Sequence, residues 1–346
     1  MRTYDAMDEA LGRLQAFAPD LRNGFTNHAP MAIEAMCALG RGDAALPWLE
    51  RNWEYRALLL PRREARHPIA DWRAALGNRR SEDWSLFLGA DFTAGHWKES
   101  AARWIARLLP GIAAAALHGV IRVGHAVRSL VDAVTPARLA ELRDAVAYWA
   151  AHYQTLPTAR NGAAPMPARE AVLRLSRVPM ERQKRGGAIT AALGVLADDP
   201  AFAGAIDLLD VSGDPSVVLS DLTETFAHVF LSNAVDGMGR ITFIHGVTGA
   251  VALRSLLALL DEDAVREALS RIWQTDAGLY VALGVAPPST GDIAAPAEDR
   301  ETLIDRAVAT HGEHAIKFTE ALLREYAIRP QPVYLTAAAR AIDAVS

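Results

Sequence analysis

The sequence predicts an all-α protein, built as a single large multi-helix domain around a central pocket lined by histidines. Alanine, leucine and arginine dominate the 346 residues, and all three favour helices. Strictly alternating β-branched runs, which are typical of strands, are scarce. Four histidine-centred segments lie far apart in the chain, each where a helix is expected to face a core. If these histidines share one site, residues 1–346 must pack as one unit, despite the proline-rich stretch at 157–167.

Apolar periodicity predicts helices along nearly the whole chain. In chain order they are 4–16, 30–38, 43–55, 84–92, 97–109, 111–133, 136–152, 168–175, 188–196, 217–234, 240–260, 263–282 and 302–326. The segment from Val285 to Arg300 is rich in proline, alanine and glycine, which predicts a long loop. A lid and a plain surface connector are equally compatible with that composition.

Composition excludes several classes of protein. A net charge of −5 argues against a nucleic-acid partner. The basic stretch 182–187 is short, so a solvated loop is favoured over an anion contact. The single cysteine, Cys37, excludes an internal disulfide and a cysteine-rich metal site. The first residues carry no apolar signal region, and charged residues interrupt the longest apolar stretch, 104–130. We therefore expect a cytoplasmic protein without a membrane span; the sequence predicts no oligomeric state.

His118, Arg122 and His125 share one face of a predicted helix, at positions i, i+4 and i+7. Their neighbours are apolar, so this face is expected to be buried, where a histidine or an arginine needs a partner. For each of these histidines considered alone, a hydrogen-bonded core residue is the favoured interpretation. The functional alternative is a neutral imidazole that offers one ring nitrogen to a metal.

Two further histidines occupy comparable positions. His28 follows Asn27, a plausible N-cap, and precedes Pro30, so it should lie at the mouth of a helix. His245 is followed by the small residues 246, 249, 250 and 252, which allow a ligand or another helix to come close. Helix packing alone would also explain those small residues.

His311, His314 and Lys317 are spaced by three, which places them on one stripe if the helix is continuous. An exposed polar stripe is the simpler interpretation. A lysine turned inward would have a lowered pKa and could capture carbon dioxide as a carbamate, which acts as an oxygen ligand. Candidate carboxylate partners are Glu313, Glu320, Asp221 and Glu224.

Other signals are weak. No phosphate loop, His-Glu-x-x-His zinc motif or Gly-x-Ser-x-Gly elbow is present. Tryptophans cluster in the first third of the chain, where they most simply build core and could also line a pocket for an aromatic substrate; they are 48, 53, 72, 84, 97 and 104.

Taken together, the four segments resemble the questin oxidase family, over nearly the whole chain. The segments that carry the resemblance are Asn27-His28 with Ala38-Leu39-Gly40, Leu117-His118-Gly119-Val120-Ile121-Arg122, His245-Gly246-Val247-Thr248 and Glu313-His314-Ala315-Ile316-Lys317. The sequence departs from the fungal pattern at Arg122, where a second histidine is common, and at Met31 and Ala32.

The resemblance implies an oxidoreductase of the oxygenase type. It implies Baeyer–Villiger oxidation or ring cleavage of a polycyclic aromatic or polyketide ketone, with O2 as the second substrate. The implied ligands are His28, His118, His245 and His314, with Lys317 as a modified ligand or catalytic partner, and ferrous iron is the natural metal for histidines and oxygen chemistry. Another divalent metal and a need for NADPH both stay open.

Several alternatives remain at this stage. Arg122 is a candidate catalytic residue that pairs with a phenolate, or equally a structural arginine. His311 and His125 are second-rank ligand candidates. The same histidines would suit a metal-dependent hydrolase or lyase, and a non-catalytic helical binding protein would contain them merely as core residues.

Overall fold

The computed structural model describes residues 4–51, 57–290 and 293–345. Within these ranges the protein is all-α, as predicted. The helices are α1 Asp5–Leu14, α2 Ala29–Ala38, α3 Ala45–Arg51, α4 Trp72–Ala75, α5 Ser81–Phe87, α6 Trp97–Leu108, α7 His118–Asp132, α8 Pro136–Ala151, α9 Ala168–Leu173, α10 Ile189–Ala192, α11 Pro215–Asn233, α12 Gly237–Arg254, α13 Glu262–Leu283, α14 Arg300–Ala309, α15 Glu313–Ile328 and α16 Pro332–Asp343.

A small antiparallel sheet was not predicted. Strand β1, Phe17–Leu21, pairs with β2, Leu59–Pro61. Both strands are short, so they lack the alternating run from which a strand is recognised. The helix α16 was also missed, as were the one-turn helix α4 and several 3-10 turns.

Four helices form a closed ring in the middle of the molecule. Helix α2 packs on α7, α7 on α12, α12 on α15, and α15 on α2 again. A large apolar core surrounds α7, α11, α12 and α13, and a second core joins α1, α2 and α3 to α14 and α15. The ring therefore links the beginning of the chain to its end, and the four candidate histidines are carried by its four helices.

Two predicted helices are interrupted, and both interruptions matter for the site. The helix predicted at 111–133 starts only at His118, because Ala115, Ala116 and Leu117 have φ values of 48°, 57° and 71°. Left-handed residues cannot belong to a right-handed helix. The helix predicted at 302–326 breaks at residues 310–312, where His311 has a φ of 55°.

Other boundaries shift by a few residues. The helix predicted at 84–92 runs from Ser81 to Phe87, and the one at 188–196 is a four-residue helix followed by the 3-10 segment Leu193–Asp198. The helix predicted at 43–55 is seen as α3, and its residues 52–55, which include Trp53, lie outside the described residues.

The segment between α13 and α14 is a loop, as predicted, with Gly291 and Asp292 outside the described residues. It is tied to α11 at two points. The Asn233 side chain accepts from the amides of Val285 and Ala286 at 2.6 and 2.9 Å, and Ser289 Oγ lies 2.9 Å from His228 Nδ1. These contacts anchor its first half to the helical body.

One helical stretch, Gly237–Leu259, is long and apolar enough to cross a membrane, with a mean hydropathy of 1.5. However, 72% of its most apolar window is buried inside the protein. Its apolar character is therefore that of a core helix in the ring, and this helix carries His245.

Candidate metal centre

Four histidines meet at the centre of the ring of helices. His28, His118, His245 and His314 each contribute one ring nitrogen, and these nitrogens all lie within 4.8 Å of one another. His118 Nε2 lies 2.7 Å from His28 Nε2 and 3.1 Å from His245 Nε2. The structure thus brings together the four histidines that the sequence singles out.

Each histidine owes its position to a local feature of the chain. The N-cap residue of α2 is His28, not Asn27, and Pro30 lies in the first turn of this helix. Asn27 precedes His28, and its side chain accepts a hydrogen bond from the Ala29 amide at 3.1 Å. His118 is the first residue of α7, directly after the left-handed turn. His314 lies in the first turn of α15, whereas His245 is in the interior of α12.

The outer nitrogens of three rings have fixed partners. His118 Nδ1 donates to the carbonyl of Ala115, within the left-handed turn, which leaves Nε2 as an acceptor with one lone pair. A single carboxylate oxygen, Glu313 Oε1, lies 3.6 Å from His28 Nδ1 and 3.5 Å from His314 Nδ1. Such outer contacts fix the tautomer and the orientation of metal-binding imidazoles.

Burial keeps the four imidazoles neutral. It lowers the pKa of His28 and His118 well below the usual value, with the charge of Lys317 adding to the effect. Burial and the neighbouring His118 lower the pKa of His245. Burial also lowers the pKa of His314, although Glu313 opposes the shift. A neutral imidazole offers a lone pair, which is the form that binds a metal.

The residues present fit a metal ion. Among the described residues, none is hydrogen-bonded to His314 Nε2, although this atom is buried. His118 Nε2 has one lone pair, so it cannot accept a full hydrogen bond from both His28 Nε2 and His245 Nε2. One cation among the four nitrogens would satisfy all of them, and imidazole nitrogen suits iron, zinc, copper and nickel.

Lys317 is turned inward, as the sequence suggested. It lies one turn after His314 and is 2% exposed. Burial lowers the pKa of Lys317 to about 8, against the opposing charge of Glu313. The amine is therefore partly neutral near physiological pH, and its charge acts on the histidines. Its side chain lines a small cavity with His125 and Glu320, apart from the cavity of the four histidines.

The remaining carboxylates and histidines lie elsewhere. Glu313 is the acid beside the cluster, and its pKa falls to about 2: burial raises the pKa, but the hydrogen bond from His314 and the charge of Lys317 prevail. Glu320 pairs with Arg128, while Asp221 and Glu224 pair with Arg329.

The prediction that His311 shares a stripe with His314 is wrong. His311 lies outside α15, in the left-handed break, and is exposed. Its carbonyl accepts a hydrogen bond from Trp48 Nε1 at 3.0 Å. His125 also lies outside the cluster, with Nδ1 2.6 Å from Glu34 Oε2 in a buried network with Arg128.

Arg122 has a partner away from the cluster. Its Nε donates to Glu141 Oε1 at 2.6 Å and its Nη2 to Glu141 Oε2 at 2.9 Å, with both residues buried. This bidentate pair neutralises the buried arginine, whereas its Nη1 has no hydrogen-bond partner among the described residues. Arg122 lines a small separate cavity with Arg62 and Asp144.

The four histidines open onto a cavity of about 480 Å³. This volume lies within the range of roughly 300–1,000 Å³ that is usual for small-molecule sites. Its walls are mixed apolar and polar; besides the histidines they include Phe25, Ala115, Tyr148, His152, Ile189, Met238, Ile241, Arg79 and Arg185. Neither the described residues of the 285–300 loop nor Trp48, Trp72, Trp84, Trp97 and Trp104 line it. The tryptophans 72, 84 and 104 instead pack edge to face with one another.

The small residues after His245 serve helix packing. A Cβ atom on Gly246 would lie 3.2 Å from Asp276 Oδ1, and one on Gly249 would lie 2.9 Å from the Leu117 side chain. Ala252 lies against Gly124 of α7. Of the two explanations that the sequence left open, close approach of helices accounts for these residues.

The comparison with known families decides the assignment. The model of the family described as questin oxidase-like matches residues 25–322. The chain belongs to the questin oxidase-like family. The match includes the four histidines and Lys317, and it ends before α16. No curated protein matches the chain. Membership of the questin oxidase-like family indicates an oxidoreductase, and the four-histidine cluster is compatible with metal binding.

Proposed function

We propose that this questin oxidase-like protein is a non-haem iron oxygenase that acts on a polycyclic aromatic or polyketide-like ketone. The observation that carries the proposal is the meeting of four neutral imidazoles at one wall of a ligand-sized cavity. When bound there, iron would supply the activation of dioxygen, which no amino-acid side chain provides.

The protein's own residues hold and shield the site in this proposal. His28, His118, His245 and His314 would hold the metal. Glu313 and the Ala115 carbonyl keep three of the four rings turned so that a lone pair faces the centre. The apolar walls at Phe25, Met238 and Ile241 suit an aromatic ring and limit the access of water.

Lys317 is assigned a place beside the metal. Its buried amine holds or releases a proton close to the four histidines, and its pKa of about 8 suits either direction of transfer. Reaction with carbon dioxide would turn it into an additional oxygen ligand. Arg122 is assigned no part in the chemistry, because its guanidinium is held by Glu141.

The test combines metal content with oxygen consumption. Protein loaded anaerobically with ferrous iron should retain about one iron per chain. It should consume dioxygen when a hydroxyanthraquinone is added, and the assay is run with and without NADPH because insertion of one oxygen atom also needs two electrons. His245→Ala should lose both properties. His228→Ala is the matched control, because His228 is a buried histidine outside the cluster.

The outcomes separate the possible classes of protein. No bound metal, together with unchanged properties in His245→Ala, would mean a binding protein with core histidines. Iron binding with equal turnover in the presence and absence of dioxygen would instead indicate a hydrolase or a lyase.

A further inference from the structure

The histidine cavity carries an unbalanced positive charge. Among its described lining residues, the permanently charged side chains are those of Arg79 and Arg185, and none is a carboxylate. A cation in a largely apolar cavity raises the local concentration of anions and favours their binding. Which ligands the cavity accepts therefore depends on whether each of the two guanidinium groups already has an ion-pair partner.

Arg185 is already neutralised. Its Nε lies 2.9 Å from Asp236 Oδ2 and its Nη2 lies 2.8 Å from Asp236 Oδ1, a bidentate ion pair. Its remaining nitrogen donates to Gln183 Oε1 and to the carbonyl of Leu283. All its main donors are used within the protein, so Arg185 is a structural part of the wall.

Arg79 is different. Within the described residues its guanidinium forms no ion pair, and its side chain is exposed and lines the cavity. By contrast, its neighbour Arg80 pairs with Asp83 at 3.0 Å. Arg79 is therefore the cation of this cavity whose hydrogen-bond donors remain free for a ligand.

The backbone holds Arg79 at this place. Its amide donates to the carbonyl of Ala151 at 2.8 Å, and the Gly77 amide donates to that of Ala150 at 2.9 Å. These bonds fasten the segment to the end of α8, whose Tyr148 also lines the cavity. Arg79 has a φ of 60°, a conformation that glycine adopts more easily. Non-glycine residues held in this conformation cluster at functional sites.

Two stacked rings, those of Tyr148 and His152, line the cavity together with Arg79. Tyr148 stacks on His152, with ring centroids 4.2 Å apart, and His152 Nε2 lies 2.7 Å from Asp20 Oδ1. Burial and the charge of Asp20 raise the pKa of Tyr148, while the charge of Arg79 opposes this rise. Tyr148 thus stays a neutral phenol, and it does not compete with a ligand for the guanidinium.

We propose that Arg79 binds an anionic group, a carboxylate or a phenolate, of an aromatic substrate whose rings lie against the wall formed by Tyr148 and Phe25. The proposal names the substrate class of the histidine site, and so rests on the proposed function. The planar guanidinium fits a carboxylate with two parallel hydrogen bonds, which fixes the orientation of the substrate as well as its affinity.

The test measures binding of naphthalene-2-carboxylate and of its neutral analogue naphthalene-2-carboxamide by calorimetry, without turnover. The carboxylate should bind more tightly to the wild type. Arg79→Gln should weaken carboxylate binding about ten- to a hundredfold, as expected for a charge-assisted pair, and change carboxamide binding less than about twofold. Arg79→Lys should retain part of the preference.

Two further variants make the result decisive. Arg79→Gly suits the left-handed backbone, so it removes the side chain without straining the loop. Arg182→Gln removes the same charge from an exposed arginine that does not line the cavity. An equal loss for both ligands, an equal effect of Arg182→Gln, or a wild type that prefers the carboxamide would each overturn the proposal.

Failure of the proposed function would look different. A protein that prefers the carboxylate through Arg79 but consumes no dioxygen would retain the anion site and lose only the oxygenase assignment. A protein that consumes dioxygen but binds the carboxylate and the carboxamide equally well would retain the oxygenase assignment and lose the anion site.

Discussion

At the scale of single residues, Glu313 organises the site more than any other carboxylate. One of its oxygens lies within 3.6 Å of both His28 Nδ1 and His314 Nδ1. These two histidines come from opposite ends of the chain, and the carboxylate aligns their rings. Its negative charge also raises the electron density on both imidazoles, which strengthens them as ligands.

Replacing Glu313 by glutamine should therefore weaken metal binding about ten- to a hundredfold, which is typical for the loss of an outer partner. Competition with a chelator of known affinity measures the effect. Glu99→Gln is the matched control, since Glu99 is an exposed acid in the first turn of α6. Unchanged affinity in Glu313→Gln would contradict the aligning role.

Asp276 is a second residue with an unusual environment. It is fully buried in α13, and neither of its oxygens has a hydrogen-bond partner among the described residues. Gly246 faces it, so the α12 helix leaves room for the carboxyl but gives it no donor. Burial raises the pKa of Asp276 well above the usual value. The charged form is therefore strongly disfavoured in the folded protein.

The variant Asp276→Asn should change how stability depends on pH. Because the folded pKa is raised, the wild type loses stability as the pH rises from the unfolded value, roughly 4, towards the folded pKa. The variant cannot ionise, so at pH 8 it should gain about 1–3 kcal/mol relative to the wild type, and less at pH 5. Denaturant unfolding at both pH values measures this difference, with the exposed Asp263→Asn as the control. A difference that does not vary with pH would count against a raised pKa.

At the scale of helices, glycines set the spacing of the ring, because they let neighbouring helices approach closely. A Cβ atom on Gly124 of α7 would lie 2.8 Å from the carbonyl oxygen of Ala252 in α12. On the other side of α7, a Cβ on Gly119 would lie 2.6 Å from the ring of Trp149. Since α7 carries His118 and α12 carries His245, these contacts also set the distance between two ligands.

The variant Gly124→Ala should therefore destabilise the protein by about 1–3 kcal/mol, as an overpacked interface does. It should also weaken metal binding, because α7 and α12 are pushed apart. Gly12→Ala offers the matched control: nothing lies within 4 Å of its added methyl group, and α1 should gain up to about 1 kcal/mol. Equal effects of the two substitutions on unfolding would refute the packing argument.

Nearly every long helix could be predicted from sequence, because its apolar residues recur with helical periodicity. The breaks could not. The stretch around Ala115 consists of alanine and leucine, which favour helix, and these residue types give no signal for the left-handed conformation that the structure shows. Gly312 follows His311 and offered a signal for the second break, but a lone glycine inside an apolar helical pattern is often tolerated.

The histidines of the site were predictable because four short motifs matched one family together. Arg79, Tyr148 and His152 were not. They come from a loop and a helix end that carry no recognisable motif, and only folding brings them to the cavity. The prediction that His311 shares a helical stripe with His314 was wrong because the spacing of the two residues is that of a helix, whereas α15 begins only after His311.

At the scale of the whole molecule, the four-histidine cluster closes the ring of α2, α7, α12 and α15. These helices start as far apart in sequence as Ala29 and Glu313. A ligand that binds only the folded state stabilises it by mass action. Occupation of the site should therefore stabilise the entire ring and not only its neighbourhood.

The midpoint of thermal unfolding should thus rise when a divalent metal is added and fall with a chelator. The gain amounts to about 2.7 kcal/mol at a metal concentration a hundred times Kd. Calorimetry under anaerobic conditions, with ferrous iron, provides the measurement. His245→Ala should abolish the shift, whereas His67→Ala, at an exposed histidine, should preserve it. A metal-induced rise that persists in His245→Ala would place the bound ion elsewhere.

The left-handed turn before α7 makes the protein sensitive to changes in chain length at one point. Ala115 holds the His118 ring through its carbonyl, and its own position is fixed by three consecutive left-handed residues. One residue inserted or deleted between Ala115 and His118 would disrupt the turn that aligns the Ala115 carbonyl with His118 Nδ1, and the imidazole would lose its orientation toward the other three histidines. Insertions in the 285–300 loop leave this turn unchanged. Circular permutants and loop grafts should therefore be designed around this short turn, not through it.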